Sequence, residues 1–316
     1  MNAEIKYIDI LDRKADYELI YKETFRTELG LRAISIMYDE HSNDKKSHDN
    51  ILRFKDNIQY RLFSATHQYL VLLKELWGAE SYLQNLYKKN PRYINSFPFE
   101  NPFFDKVEQE LSSVFDNVIF QVTSIFDYLS HIVCYITFTN KTNTLYWTKL
   151  ARASRGQNND FSNIELKNII DIVDRRFVGK LYDYRSRLIH DKRDRHIFNA
   201  QAKLIDFQFN LQLLPSDVAL KHFKLIKEEI PVGADVTLTY LASWLIKRAF
   251  FEIETILDVL SIELKKGSNF HSNLINPKRG DDALLFITMN PETRQVEPLS
   301  NGLWKEYKEK TKSVKQ

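Results

Sequence analysis

The chain has 316 residues, 43% of them hydrophobic and 28% charged, with only eight glycines and eight prolines. That length is enough for a sizeable core, and so few turn-forming residues predict long helices. A net charge of +3 and a single cysteine argue against general adhesion to polyanions and exclude an internal disulfide framework and a cysteine-built zinc cage.

The start of the chain, MNAEIKYIDILDRK, lacks the apolar run of a secretory signal. No stretch reaches the roughly 18 uninterrupted apolar residues of a spanning helix. The expectation is a soluble, cytoplasmic protein with no membrane partner. An N-terminal helical extension precedes the polar stretch HSNDKKSHDN.

After that stretch, Ile51, Phe54, Ile58, Leu62, Ala65, Tyr69, Leu72, Leu76, Ala79, Leu83 and Leu86 recur in threes and fours, a helical period. Ser47 or Asp49 is placed to cap this helix, and Asn90-Pro91 ends it. A second helix opens at Asn101-Pro102, a capping residue followed by proline at the first helical position. Its stripe runs through Phe104, Val107, Leu111, Val114, Val118, Val122, Ile125, Leu129, Ile132 and Ile136. Cys134 lies in its apolar segment HIVCYITF, which predicts a buried structural thiol. Asp127 and His131 share one face of this helix, but a metal site needs at least a third ligand and none is nearby. Neither a metal nor a cofactor is expected. A carboxylate on so apolar a helix is costly without a partner, so Asp127 reads first as a structural ion pair or a helix-surface group.

A third helix follows the capping box Ser162-Asn163-Ile164-Glu165. Val173, Phe177, Leu181, Tyr184 and Leu188 continue one apolar stripe, and Gly179 marks a bend or a break. The period then changes. In LIDFQFNLQLL, residues 204–214, Phe207, Phe209, Leu211 and Leu213 alternate with polar residues, as in a half-buried strand. The best candidate partner is ALLFITM at 283–289, with KHFKLI at 221–226 as the alternative. A fourth helix runs from near Asp235 to Gly267, with Lys265 and Lys266 in its last turn as the helix dipole favours. The basic end KEYKEKTKSVKQ reads as a frayed tail. Trp147 and Trp244 read as core or interface anchors.

The fold class is therefore mainly α. A four-helix core spans about residues 47–267, with a β insertion at about 197–230 and a C-terminal appendage at about 268–316, all within a single domain. No phosphate-cradling glycine loop, nucleophile elbow or HExxH is present, which leaves nucleotide hydrolysis, esterase and zinc-protease chemistry without residues.

The charge is concentrated. Residues 175–195 hold eight Lys/Arg against three Asp, a local +5, so the rest of the chain is slightly acidic. A local basic patch on a near-neutral chain suits an anionic ligand. Within it lies YDYRSRLIHDKRD, residues 182–194. Metal-free cleavage of RNA needs a group that moves a proton at the 2′-hydroxyl or the leaving 5′-oxygen, and one that stabilises charge on the phosphate. Histidine suits the first task because it titrates near neutrality. Arginine suits the second because its permanently charged guanidinium pairs with two phosphate oxygens. Arg185, Ser186 and His190 supply this set, with Lys180, Arg187, Lys192, Arg193 and Arg195 to guide a strand. On a straight helix, residues five apart diverge by about 140° and rise roughly 7.5 Å, so Arg185 and His190 meet only at a bend or across a second copy. Arg61 and His67, in RLFSATH, match a looser spacing, but mid-helix they read as a decoy.

YRSRLIHD resembles the signature of the HEPN superfamily, helical-bundle proteins carrying an Arg, usually a polar residue next, then a His after four to six intervening residues. Arg185, Ser186 and His190 occupy its three places, and the likeness extends over the helical core. The resemblance implies an up-and-down bundle, a homodimer with motifs facing across the interface, and metal-independent endoribonuclease activity. It further implies a toxin or phage-defence role, with an antitoxin or defence-system partner. In that reading His190 is the acid/base, Arg185 the phosphate clamp and Ser186 a positioning hydrogen-bonder. Asp127 would be the acidic group of a preceding helix that orients Arg185 or His190. The commonest second residue of the signature is Asn, and here it is Ser. Some family members have a modified tyrosine two places after the His, and here that place is Lys192, so such a pairing is not supported. The sequence leaves three readings: the ribonuclease, a bundle that binds RNA or nucleotide without cutting, and a structural helical interaction protein.

Overall fold

In a computed structural model, the residues described are 7–41, 48–90, 102–137, 145–157, 165–190, 194, 196–203, 208–266, 287–289, 294 and 296–314. The fold class is as the periodicities predict: mainly α, a helical bundle with a small strand appendage. Helices α1 (Arg13–His41), α2 (His48–Lys89), α3 (Pro102–Thr137), α4 (Trp147–Arg155) and α5 (Leu166–Val173) come first. A π turn, Asp174–Val178, then leads into α6 (Gly179–His190). The hairpin β2 (Ile197–Lys203) and β3 (Gln208–Leu214) is followed by α7 (Asp217–His222), α8 (Ile226–Glu229) and α9 (Leu238–Lys265). The last elements are β5 (Ile287–Met289), β6 (Val296–Pro298) and α10 (Leu299–Val314), while β1 (Tyr7–Ile8) pairs in parallel with β4 (Asp235–Val236).

The stripe predicted for α2 is buried from Ile51 through Leu83, because a 3.6-residue period keeps those side chains on one face. α3 begins at Pro102 as predicted and is apolar and long enough to cross a membrane by composition, yet most of that window is buried inside the protein. Burial pushes the Cys134 thiol up to about 12, which makes it an inert core thiol. Of the two residues expected to cap α2, Asp49 lies within the helix, which already begins at His48, and Ser47 lies outside the described residues, as do Ser162 ahead of α5 and Asn101 ahead of α3.

Three expectations need correction. The strand β3 pairs antiparallel with β2, from Ile197↔Leu214 to Lys203↔Gln208, and not with 283–289 or 221–226. Ile287–Met289 pairs instead with β6, and 221–226 lies in α7, the turn after it and the start of α8. The fourth helix starts at Leu238, not near Asp235, because Asp235 and Val236 bridge to the N-terminal strand first. The end of the chain is not a frayed tail through Val314, since α10 runs to that residue and Tyr307 in it is fully buried.

The chain divides into two compact units. The first comprises Met1–Ile20, Phe63–Thr123 and Arg176–Lys247. In it the Thr237 hydroxyl caps α9, accepting the Tyr240 amide at 3.2 Å and donating to Asp9 at 2.7 Å. The Asp16 carboxylate accepts from the Tyr69 hydroxyl at 2.7 Å, from the Ser243 hydroxyl at 2.8 Å and from Lys247. Arg13 forks onto Glu80 at 2.9 and 3.0 Å, and Glu80 also accepts the Leu211 amide at 3.0 Å, fixing the hairpin to α2. Trp244 packs on Phe177 and donates to Glu229 at 2.6 Å.

The second unit comprises Tyr21–Leu62, Ser124–Arg175 and Arg248–Gln316. Trp147, fully buried, donates from its indole to Asp174 at 2.8 Å and packs edge-on against Phe126. Arg155 pairs with Asp171 at 2.6 Å and with Asp174. At the N-terminus of α10, buried Glu40 accepts the Ser300 amide at 3.2 Å and its hydroxyl, so a carboxylate from α1 satisfies the free N–H groups of the helix start. Burial raises the Glu40 pKa despite these bonds. Tyr307 lies against Gly30, under the Arg26 guanidinium at 4.9 Å, and Lys308 pairs with Glu254 and Asp258 at 3.0 and 2.5 Å.

Candidate functional site

α6 carries the motif, and its burial pattern explains how it sits. Leu181 and Tyr184 are fully buried, while Lys180, Asp183, Ser186, Arg187 and His190 are exposed. With a 100° step per residue, Ser186 and His190 fall about 40° apart on the outward face, and Lys180 lies about 80° from His190 and about 120° from Ser186. Arg185 lies on the flank of the helix, half-buried, next to Ile189, which is 53% exposed. Arg187 and His190 occupy the last turn, where the helix dipole favours positive charge.

The guanidinium of Arg185 lies over the ring of Phe120 from α3, 6.0 Å from its centroid. Its Nε is shut off from solvent and has no hydrogen-bond partner. A cation on the face of a ring keeps its N–H groups directed outward. The Nε–Nη edge is the one that forks onto a carboxylate or phosphate, and in Arg185 the Nε on that edge is buried and unpaired.

α6 is held from behind by Tyr184. Its ring packs on Phe223 and His222, and its hydroxyl donates to Asp194 at 3.0 Å. Burial, with Asp194 adjacent, pushes the Tyr184 pKa up and keeps it a neutral donor. Asp194 also accepts from the Ser216 hydroxyl at 2.5 Å, and Ser216 caps α7 by accepting the Ala219 amide at 3.0 Å. The Ser216 amide donates to Nδ1 of His196 at 3.1 Å, and the His196 amide donates to Glu108 at 3.3 Å. The motif helix therefore ends in a polar lock joining α3, α6, the residue before β2 and the start of α7.

The predicted site residues are distributed as follows. Arg185, Ser186, His190, Lys180 and Arg187 share α6. Lys192, Arg193 and Arg195 lie outside the described residues. Asp127 belongs to the second unit, where its Oδ1 accepts the Trp147 amide at 3.4 Å, at the first turn of α4. The π turn lies upstream of the motif, and α6 stays regular through His190, so within one chain Arg185 and His190 diverge by about 140°. His67 is exposed on α2. Among the described residues no three His, Cys, Asp or Glu side chains converge as metal ligands.

Two contributors escaped the sequence. Phe120 is off the main apolar stripe of α3, so nothing in the period marks it as a seat for Arg185. Asp194 reads as one acid among many bases, and nothing in the sequence places it beside Tyr184. No protein-family model, curated protein or solved structure matches the chain.

Proposed function

We propose that this chain is a HEPN-like, metal-independent endoribonuclease, cytoplasmic and homodimeric, of a toxin or defence type with an antitoxin or defence-system partner. The observation that supports it most is the pairing, on the last turns of one helix, of an exposed His190 with a half-buried Arg185 whose Nε is unpaired. In this reading a phosphate of RNA docks on the Arg185 fork. The 2′-oxygen attacks phosphorus and loses its proton, and the 5′-oxygen leaves and gains one. His190 transfers one of these protons as base or acid. The products are a 2′,3′-cyclic phosphate and a 5′-hydroxyl. Ser186, on the same face as His190, hydrogen-bonds a phosphate or ribose oxygen, and Lys180 and Arg187 draw in the strand. The scheme routes no step through Asp127, whose carboxylate is engaged at the start of α4.

The divergence of Arg185 and His190 on a regular helix favours, as the second reading, an RNA- or nucleotide-binding module that does not cut. One experiment separates the two. Purified protein is incubated with total RNA and a defined tRNA in EDTA, beside His190→Ala at equal concentration. Cleavage by the wild type alone, with cyclic-phosphate ends, is the expected result. Salt-sensitive binding without cleavage, weakened by Arg185→Ala, would select the binding module instead.

A further inference from the structure

The hairpin of β2 and β3 lies in the first unit, and two glutamates show which way its backbone groups point. In an antiparallel pair, residues alternate between those whose N–H and C=O groups bond across the ladder and those whose groups point away from it. The Leu211 amide of β3 donates to Glu80 of α2 at 3.0 Å, so Leu211 is of the second kind. Its register partner is Ala200, which therefore turns its own N–H and C=O to the far edge of β2. Phe198 and Ala202, two residues to either side, do the same. His196, two residues before Phe198, continues the alternation, because its amide turns to Glu108 of α3 at 3.3 Å.

The two edges of the hairpin are thus unlike. On the β3 edge the Leu211 amide is taken by Glu80, which is itself pinned by the Arg13 fork. On the β2 edge, beyond the His196 amide, no described residue bonds the N–H or C=O of Phe198, Ala200 or Ala202. The devices that blunt an edge are sparse along it. β2, IFNAQAK, has no proline, its register with β3 runs without a bulge, and its one charge is at its last residue, Lys203. Ile197, at its other end, is 64% exposed.

We propose that the β2 edge seats a second copy of β2, antiparallel about a two-fold at Ala200, so that two two-stranded hairpins join into one four-stranded sheet. The register suits both backbone and charge. A two-fold at Ala200 sets Ala200 opposite its own copy, Phe198 opposite Ala202, Asn199 opposite Gln201 and Ile197 opposite Lys203. Each outward N–H of one copy then meets an outward C=O of the other. No charge faces its like, whereas a parallel in-register pair would stack Lys203 on Lys203. Assembly also stops at two copies. Both outer edges of the joined sheet are β3, where Glu80 holds the Leu211 amide, so a further strand meets an occupied group. The pairing uses backbone groups and needs no RNA chemistry, so it stands apart from the catalytic reading.

Two measurements on the full chain test this. In the first, hydrogen exchange resolved to single amides is followed along a dilution series. At high dilution the ladder amides of Asn199 and Gln201 should be protected while those of Phe198, Ala200 and Ala202 exchange freely. At high concentration all should be protected together. In the second, sedimentation velocity compares the wild type with Ala200→Pro and Ala200→Val. Proline at 200 removes an N–H that the hairpin ladder does not use. The two-fold counts that loss twice, so the dimer dissociation constant should rise roughly ten- to a hundred-fold. Ala200→Val keeps the amide and should stay dimeric. A wild type that is monomeric at high concentration overturns the proposal. So does a dimer that a folded Ala200→Pro leaves intact, or one in which Phe198, Ala200 and Ala202 exchange as fast as at high dilution; either result would leave an α6 interface standing. If Ala200→Pro does not fold, the wild-type exchange series decides alone.

Discussion

Arg185 shows how much one residue can say and how much it depends on a neighbour. Its place in YRSRLIHD marks it, because a permanently charged fork and a histidine are the residue types that metal-free phosphate chemistry uses. Its seat on Phe120 was not readable, since a phenylalanine beside an apolar stripe looks like one more core side chain. Phe120 lies under the guanidinium, 6.0 Å from its ring centroid, and a ring face offers the cation attraction without accepting its N–H groups in the plane. Replacing Phe120 by Leu removes an interaction of about 0.5–1 kcal/mol, so RNA affinity should fall about two- to five-fold with the salt slope unchanged. Arg185→Lys keeps the charge but not the fork, and affinity should fall roughly ten-fold or more. Fluorescence anisotropy across a salt series measures both. A fully active Arg185→Lys would mean that Arg185 acts as a point charge, and the clamp would be lost from the reading.

At the scale of elements, the long helices were legible because an apolar residue every three or four positions admits few alternatives. β3 was legible as a strand, but its partner was not. β2, IFNAQAK, alternates alanine and phenylalanine with polar residues, and two alanines make a faint stripe. α10 was missed for a related reason. Among the described residues of its lysine-rich end the one fully buried anchor is Tyr307, and one aromatic does not make a period. That anchor has a counterpart in α1. A Cβ on Gly30 would lie 2.9 Å from Cε2 and Cζ of the fully buried Tyr307 ring, so the ring or the helix must shift to admit it. Glycine inside a helix normally costs about 1 kcal/mol against alanine. Here it permits the close approach. Gly30→Ala should therefore destabilise by about 1–3 kcal/mol in urea unfolding, as overpacking does. Gly78→Ala, in α2 with open space around the added Cβ, should stabilise by about 0.5–1 kcal/mol. A second change, Tyr307→Leu, should relieve the Gly30→Ala penalty. Equal effects at the two glycines would show that the Tyr307 contact does not constrain α1.

For the molecule as a whole, the motif poses a question of stoichiometry. α6 remains a regular helix to His190, and the π turn lies before the motif. One chain therefore directs Arg185 to the flank and His190 outward, about 140° apart and separated by roughly 7.5 Å along the axis. A single scissile phosphate needs both groups within contact distance. In the dimer proposed above, a two-fold axis would set the Arg185 of one chain opposite the His190 of the other and cover Ile189, which is 53% exposed beside Arg185. The consequence is testable by complementation. Arg185→Ala and His190→Ala should each lose about 10²- to 10⁴-fold in cleavage rate. Mixed in equal amounts and allowed to exchange, roughly half the dimers contain one of each, and each of those has one intact composite site of two. The mixture should therefore recover roughly a quarter of the wild-type rate, and the recovery should fade on dilution below the dimer dissociation constant. A mixture as inactive as its components, from proteins shown to exchange subunits, would place both groups in one chain or remove them from catalysis.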